Sequence, residues 1–97
     1  MSKAYWIVRV SVHDQQRYPE YLVAARIAFD AFGAKFIVRG GAFDCKEGQA
    51  RERNVVVEFK DRATATACYE SADYSRAKAI RQNCAAADFI IIDGIAT

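Results

Sequence analysis

Lys35-Phe36-Ile37-Val38-Arg39-Gly40-Gly41, a polar run from Asp44 to Arg53, and Asn54-Val55-Val56-Val57-Glu58-Phe59-Lys60 read together as strand, double glycine, polar connection, strand. β-branched and aromatic residues fill both apolar runs, which suits a pleated, half-buried surface. Gly40-Gly41 marks a bulge or a close approach to the backbone, and Gly48 supplies turn freedom in the polar run. On the second run Val55, Val57 and Phe59 share one face and Val56 and Glu58 the other. The segments before and after this hairpin each read as a strand plus a helix able to pack on it.

Upstream, Ala4 to Val12 is a third strand with Trp6, Val8, Val10 and Val12 on one face and Tyr5, Ile7, Arg9 and Ser11 on the other. Asp14 is a candidate helix cap, and Pro19 fits a first helical turn, where its missing N–H costs nothing. The spacing predicts a helix over Tyr18–Phe32 with a stripe of Tyr18, Leu22, Ala25, Phe29 and Phe32, stopped at Gly33. Downstream, Asp61 caps a short helix to Tyr69, Ser71 caps a restart running to about Cys84, and Ala87–Ile95 is the last strand. There Phe89, Ile91 and Asp93 alternate with Ile90, Ile92 and Gly94. The order β-α-β-β-α-β predicts a ferredoxin-like α+β fold: a four-stranded antiparallel sheet with its helices on one face.

The 97 residues fit one domain, 1–97, with one core. A net charge of +2 is too small for a dedicated nucleic-acid binder. The topology is shared with RNA-recognition domains, and Arg39-Gly40-Gly41-Ala42-Phe43 resembles a fragment of their signature. It falls at the end of the second strand, however, and Val56 and Glu58 stand where stacking aromatics belong. No apolar run approaches membrane-spanning length. Cys45, Cys68 and Cys84 form no paired spacing, and with no signal peptide the expectation is a cytoplasmic protein. One histidine without clustered cysteines argues against a metal site or haem, so no cofactor is expected.

Helices cover only one sheet face. With Trp6, Val8 and Val10 beneath them, the open face shows Tyr5 and Ile7, joined in this reading by Ile37, Val56, Phe89 and Ile91. An apolar patch of that kind marks an interface. Burying about 600 Å² per subunit at about 25 cal/mol/Å² is worth roughly 15 kcal/mol before association costs. The expected partner is therefore a second copy, sheet against sheet. The other reading is a monomer whose long hairpin covers its own face.

Each strand carries one charge within its apolar run: Arg9, Arg39, Glu58 and Asp93. Alternation sets all four on the open face, with a bulge at the glycines able to flip Arg39. Two readings follow. One is a polar pocket in which Arg9, Arg39 and Asp93 hold a small ligand, with Arg39 stabilising an enolate-like oxygen and Glu58 accepting a proton. The other is an ion-pair network that fixes register. His13, where the first strand ends, is a candidate base at a cleft mouth, set against a solvated loop histidine. Tyr74 and Arg81, seven apart on one helical face, are candidate ligand donors, set against packing. Cys68 and Cys84 read as core thiols.

Arg39-Gly40-Gly41, Glu47-Gly48, Arg53-Asn54-Val55-Val56-Val57-Glu58-Phe59, Tyr69-x-Ser71-x-x-Tyr74, Arg81 and Asp93-Gly94, in this order, resemble domain of unknown function 1330 over nearly the whole chain. That resemblance implies the dimeric α+β barrel superfamily: a ferredoxin-like protomer and a sheet-to-sheet homodimer. The superfamily includes cofactor-free monooxygenases, muconolactone isomerase and haem enzymes. The resemblance carries fold and assembly, not an activity. The charges within the apolar strands carry the functional expectation: binding of a small, partly apolar, oxygenated molecule, with cofactor-independent chemistry; the alternative is a non-enzymatic binding or structural dimer.

Overall fold

The computed structural model describes residues 2–96. Its elements are β1 (Ala4–Val12), α1 (Tyr18–Phe32), β2 (Lys35–Arg39), β3 (Arg53–Phe59), α2 (Arg62–Glu70), α3 (Ala72–Gln82) and β4 (Ala85–Asp93). The strands form one antiparallel sheet in the order β2-β3-β1-β4. This is the ferredoxin-like arrangement, with the second crossover broken into α2 and α3. Local chemistry explains the break. Asp61 accepts from the Thr64 N–H at 2.7 Å, and Ser71 ends α2 and caps α3 by accepting from the Tyr74 N–H at 3.1 Å.

Trp6 anchors the core. It is buried from strand β1, donates its indole N–H to the Ala65 carbonyl at 3.0 Å, and stacks with Phe29, Phe59, Tyr69, Tyr74 and Phe89 at centroid distances of 4.9–6.1 Å. Ala4, Val8, Val10, Val55, Val57 and Phe59 share its face.

Helix α1 has the expected bounds and ends at Gly33 in a left-handed conformation, φ 66°. Asp14 makes the preceding turn rather than the cap: its Oδ1 accepts from the Gln16 and Arg17 N–H groups. The buried stripe is Tyr18, Tyr21, Ala25 and Ala28, while Leu22 is 42% exposed. The helix is therefore rolled so that small alanines, not Leu22, meet α3 and the sheet.

Two corrections concern the sheet faces. Strand β4 begins two residues earlier than expected, where Cys84 O accepts from the His13 and Asp14 N–H groups at 2.9 and 3.1 Å. Its register sets Phe89 opposite Val8, Ile91 opposite Trp6 and Asp93 opposite Ala4. Phe89, Ile91 and Asp93 thus lie on the helix side, and Asp88, Ile90 and Ile92 on the open side. The alternation was right and its phase wrong, because the Phe89 ring packs 4.9 Å from both Trp6 and Tyr69. In β2, Phe36 pairs with Val57 but Val38 pairs with Val56. This bulge lies before the glycines, and it turns Val38 to the open face and Arg39, opposite Val55, to the helix side.

The open face is apolar: Ile7, Ile90 and Ile92 are 36%, 52% and 46% exposed, and Val38 and Val56 adjoin them. Residues 40–52 form no ladder. This loop shelters one end of the face, beside Arg9, Val38 and Asn54. Arg51 ties it down there through Asp88 at 2.9 Å and Ser11 Oγ at 3.0 Å.

Candidate functional site

The four strand charges do not form one cluster. Arg9 and Glu58 stay on the open face. Arg9 lies 3.4 Å from Asp88, and Glu58 accepts from Tyr5 Oη at 3.2 Å and Lys3 Nζ at 3.3 Å. Asp93 pairs with Arg62 of α2 at 3.5 Å on the helix side. Arg39 also lies on that side, at the opposite sheet edge. The expected pocket built from all four is corrected by the bulge in β2 and the phase of β4.

The structure instead opens a cleft of about 420 Å³ between α1 and the β2–β3 edge. Leu22, Arg26, Phe29 and Asp30 line it from α1, Phe36 and Arg39 from β2, Arg53 from β3, and Ala34 from the turn between α1 and β2. Phe29 and Phe36 meet edge to face at 5.1 Å, and the Arg39 guanidinium sits 4.1 Å over the Phe36 ring. Arg26 and Asp30 pair at 3.8 Å. Arg53 reaches back under the loop, its guanidinium 5.7 Å from the Tyr18 ring centre, and its Nε is buried without a hydrogen-bond partner. Gly40, at φ 64°, makes room for it: a Cβ there would stand 2.6 Å from Arg53 Nη1.

Behind the cleft, a void of about 30 Å³ continues inward past Leu22, Phe29, Phe36 and Arg53 to Trp6, Tyr18 and Tyr21. Beyond it lies a polar cluster at the α1–α3 contact. Tyr74, fully buried, shares a 2.8 Å hydrogen bond between hydroxyls with Tyr21. Arg81 is 6% exposed, with its guanidinium 5.7 Å from the Tyr21 ring centre and its Nε unpartnered. Tyr74 and Arg81 are thus brought together, as their spacing implied, but inside the core. Burial, reinforced by Tyr74, pushes the Tyr21 phenol well above its ordinary range, and burial raises Tyr74 and Tyr18 too. These phenols keep their protons at neutral pH and do not act as bases.

His13 is exposed where β1 ends, and neither it nor Glu58 lines the cleft. Cys45 is exposed; Cys68 and Cys84 are buried, and burial pushes the Cys68 thiol up to about 12. Sequence reasoning missed Arg53, Arg26 and Tyr21. Arg26 follows Leu22 by one helical turn, a signal that was present. Arg53 stood at a loop's end, and only the folded chain brings it against Gly40.

One family model, Domain of unknown function (DUF1330), matches residues 3–95. The chain belongs to that family. No curated protein matches this DUF1330 chain. Among solved structures it is similar to a protein of unknown function from Rhodopseudomonas palustris, with a TM-score of 0.78, 14% identity, and coverage of 99% of this chain and 85% of that one. It is also similar to SnoaB, a cofactor-independent oxygenase from Streptomyces nogalater, with a TM-score of 0.67, 8% identity, and coverage of 100% and 97%. A third is a dimeric ferredoxin-like protein of unknown function from Thermobifida fusca, with a TM-score of 0.54, 16% identity, and coverage of 98% and 92%. At these identities the likeness is one of fold. No helix among the described residues is long and apolar enough to cross a membrane.

Proposed function

We propose that this DUF1330 chain works as a two-fold homodimer joined through the open sheet faces, and that each subunit's cleft takes a small, partly apolar, oxygenated molecule, with cofactor-independent chemistry of isomerase or monooxygenase type. The observation that carries the reading is the 420 Å³ cleft walled by Phe29 and Phe36, with Arg39 and Arg53 at its rim. Its volume and its few convergent polar groups suit a small-molecule site. The guanidiniums are positioned to stabilise negative charge developing on a ligand oxygen, and Tyr74 and Arg81 stiffen the wall behind. The exposed isoleucines support the dimer, and so does the likeness to a dimeric ferredoxin-like protein.

A second reading, binding without turnover, is favoured by one feature. Among the described residues the one carboxylate lining the cleft, Asp30, is exposed and already paired with Arg26, so these residues place no free proton acceptor there. Native mass spectrometry of protein purified from cells is the test. A dimer carrying a small molecule is expected, with the ligand lost in Arg39→Ala and kept in Glu58→Gln. A lone subunit, or an Arg39→Ala variant that retains the ligand fully, overturns the assignment.

A further inference from the structure

We infer that the cleft's ligand is a carboxylate carried on a flat apolar body, its two oxygens gripped by Arg53 and Arg39. The inference rests on the cleft being the binding site. Three guanidiniums line it against one carboxylate, and that carboxylate is already 3.8 Å from Arg26. Among the described residues Arg39 and Arg53 have no carboxylate within ion-pair distance, and the buried Arg53 Nε lacks any acceptor. A buried donor left unbonded is unfavourable, and a small shift of the Arg53 head towards an acceptor in the cleft relieves it. The planar fork of a guanidinium matches the two oxygens of a carboxylate.

The remaining surface dictates the rest of the molecule. Phe29 and Phe36 present ring surface beside the guanidiniums, and Leu22 closes the side. A bare anion leaves those walls wet, and a neutral molecule leaves the half-buried Arg53 guanidinium uncompensated. A single ring with a short acidic arm fits within the volume.

The test is calorimetric titration of the whole protein with hydrocinnamate, with hydrocinnamyl alcohol as its uncharged analogue, and with inorganic phosphate. The side-chain N–H resonances of the arginines and of Trp6 are followed in parallel. Trp6 is the single tryptophan and lines the space behind the cleft. Hydrocinnamate is expected to bind at least about tenfold more tightly than the alcohol, the margin of a charge-assisted hydrogen bond, and more tightly than phosphate. Arg53→Met and Arg39→Met each remove most of that preference; the exposed Arg39 keeps the test available if Arg53→Met does not fold. If the alcohol binds as well as the acid and shifts Trp6, the cleft stands and the carboxylate falls. If phosphate matches the acid, the apolar body falls. If neither organic probe binds or shifts Trp6, both the inference and the cleft reading fall.

Discussion

Replacing Gly40 by alanine isolates how the fold holds Arg53. The backbone at Gly40 has φ 64°, where a side chain costs about 1–2 kcal/mol, offset by about 0.4–1 kcal/mol from the stiffer unfolded chain. Gly33, at φ 66° and with nothing within 4 Å of an added Cβ, carries the same backbone term alone. Gly33→Ala is therefore the control, with an expected loss of about 0.5–1.5 kcal/mol. At Gly40 the new methyl meets Arg53 Nη1 at 2.6 Å and Cζ at 3.2 Å. The guanidinium must swing away and lose its contact with the Tyr18 ring, which adds about 0.5–1 kcal/mol. Urea unfolding of both variants gives the two losses, and the Arg53 Nε–H resonance reports whether the head has moved. Gly40→Ala should be the worse of the two, with Arg53 shifted and hydrocinnamate weakened. Equal losses with an unmoved Arg53 resonance would refute the packing argument.

Tyr74→Phe should cost about 1–3 kcal/mol by stranding the Tyr21 hydroxyl. A double-mutant cycle with Tyr21→Phe should show coupling of about 1 kcal/mol or more in urea unfolding, and strict additivity would mean the hydroxyls do not serve each other. One of the three thiols, Cys45, should react promptly with a thiol reagent, while Cys68 and Cys84 wait for unfolding; prompt reaction of all three contradicts the burial described. The Arg51 hydrogen bond, with its charge, holds the Asp88 carboxyl below its ordinary range. The folded pKa is the lower one, so the tie stabilises the loop at and above the ordinary carboxylate range and is lost as pH falls through the lowered value. Proteolysis of residues 40–52 by an acid-active protease should rise there, and an Asp88→Asn variant should show no such rise. Ile90→Lys should yield single subunits in sedimentation, and an intact dimer would move the interface elsewhere.

The element order, the bounds of α1 and the caps at Asp61 and Ser71 were legible because each rests on a local signal: a helical period, a stop glycine, a side chain that accepts from its own backbone. Strand faces were less legible. A period of two fixes which residues share a face but not which face it is, and for β4 a ring contact between Phe89 and Trp6 made the choice. For β2 the Ile37 bulge has no sequence mark of its own, and the double glycine drew attention to the wrong place. The cleft followed from these two choices. Arg39 stands out in the sequence as a charge within an apolar run, yet simple alternation puts it on the far side of the sheet. Arg53 acquires its surroundings only when loop, strand and helix come together. Glu58 is likewise a charge in an apolar run, and its neighbours are Tyr5 and Lys3 on the face that the chain leaves uncovered.

The rings around Trp6 come from every layer of the molecule: Phe29 from the first crossover, Tyr69 and Tyr74 from the second, Phe59 and Phe89 from flanking strands. The ferredoxin-like topology is in essence two similar halves, and such halves can melt one after the other. Here a single indole rivets them at one point. Loosening either half strips the same side chain of its neighbours, so both should come apart in one step.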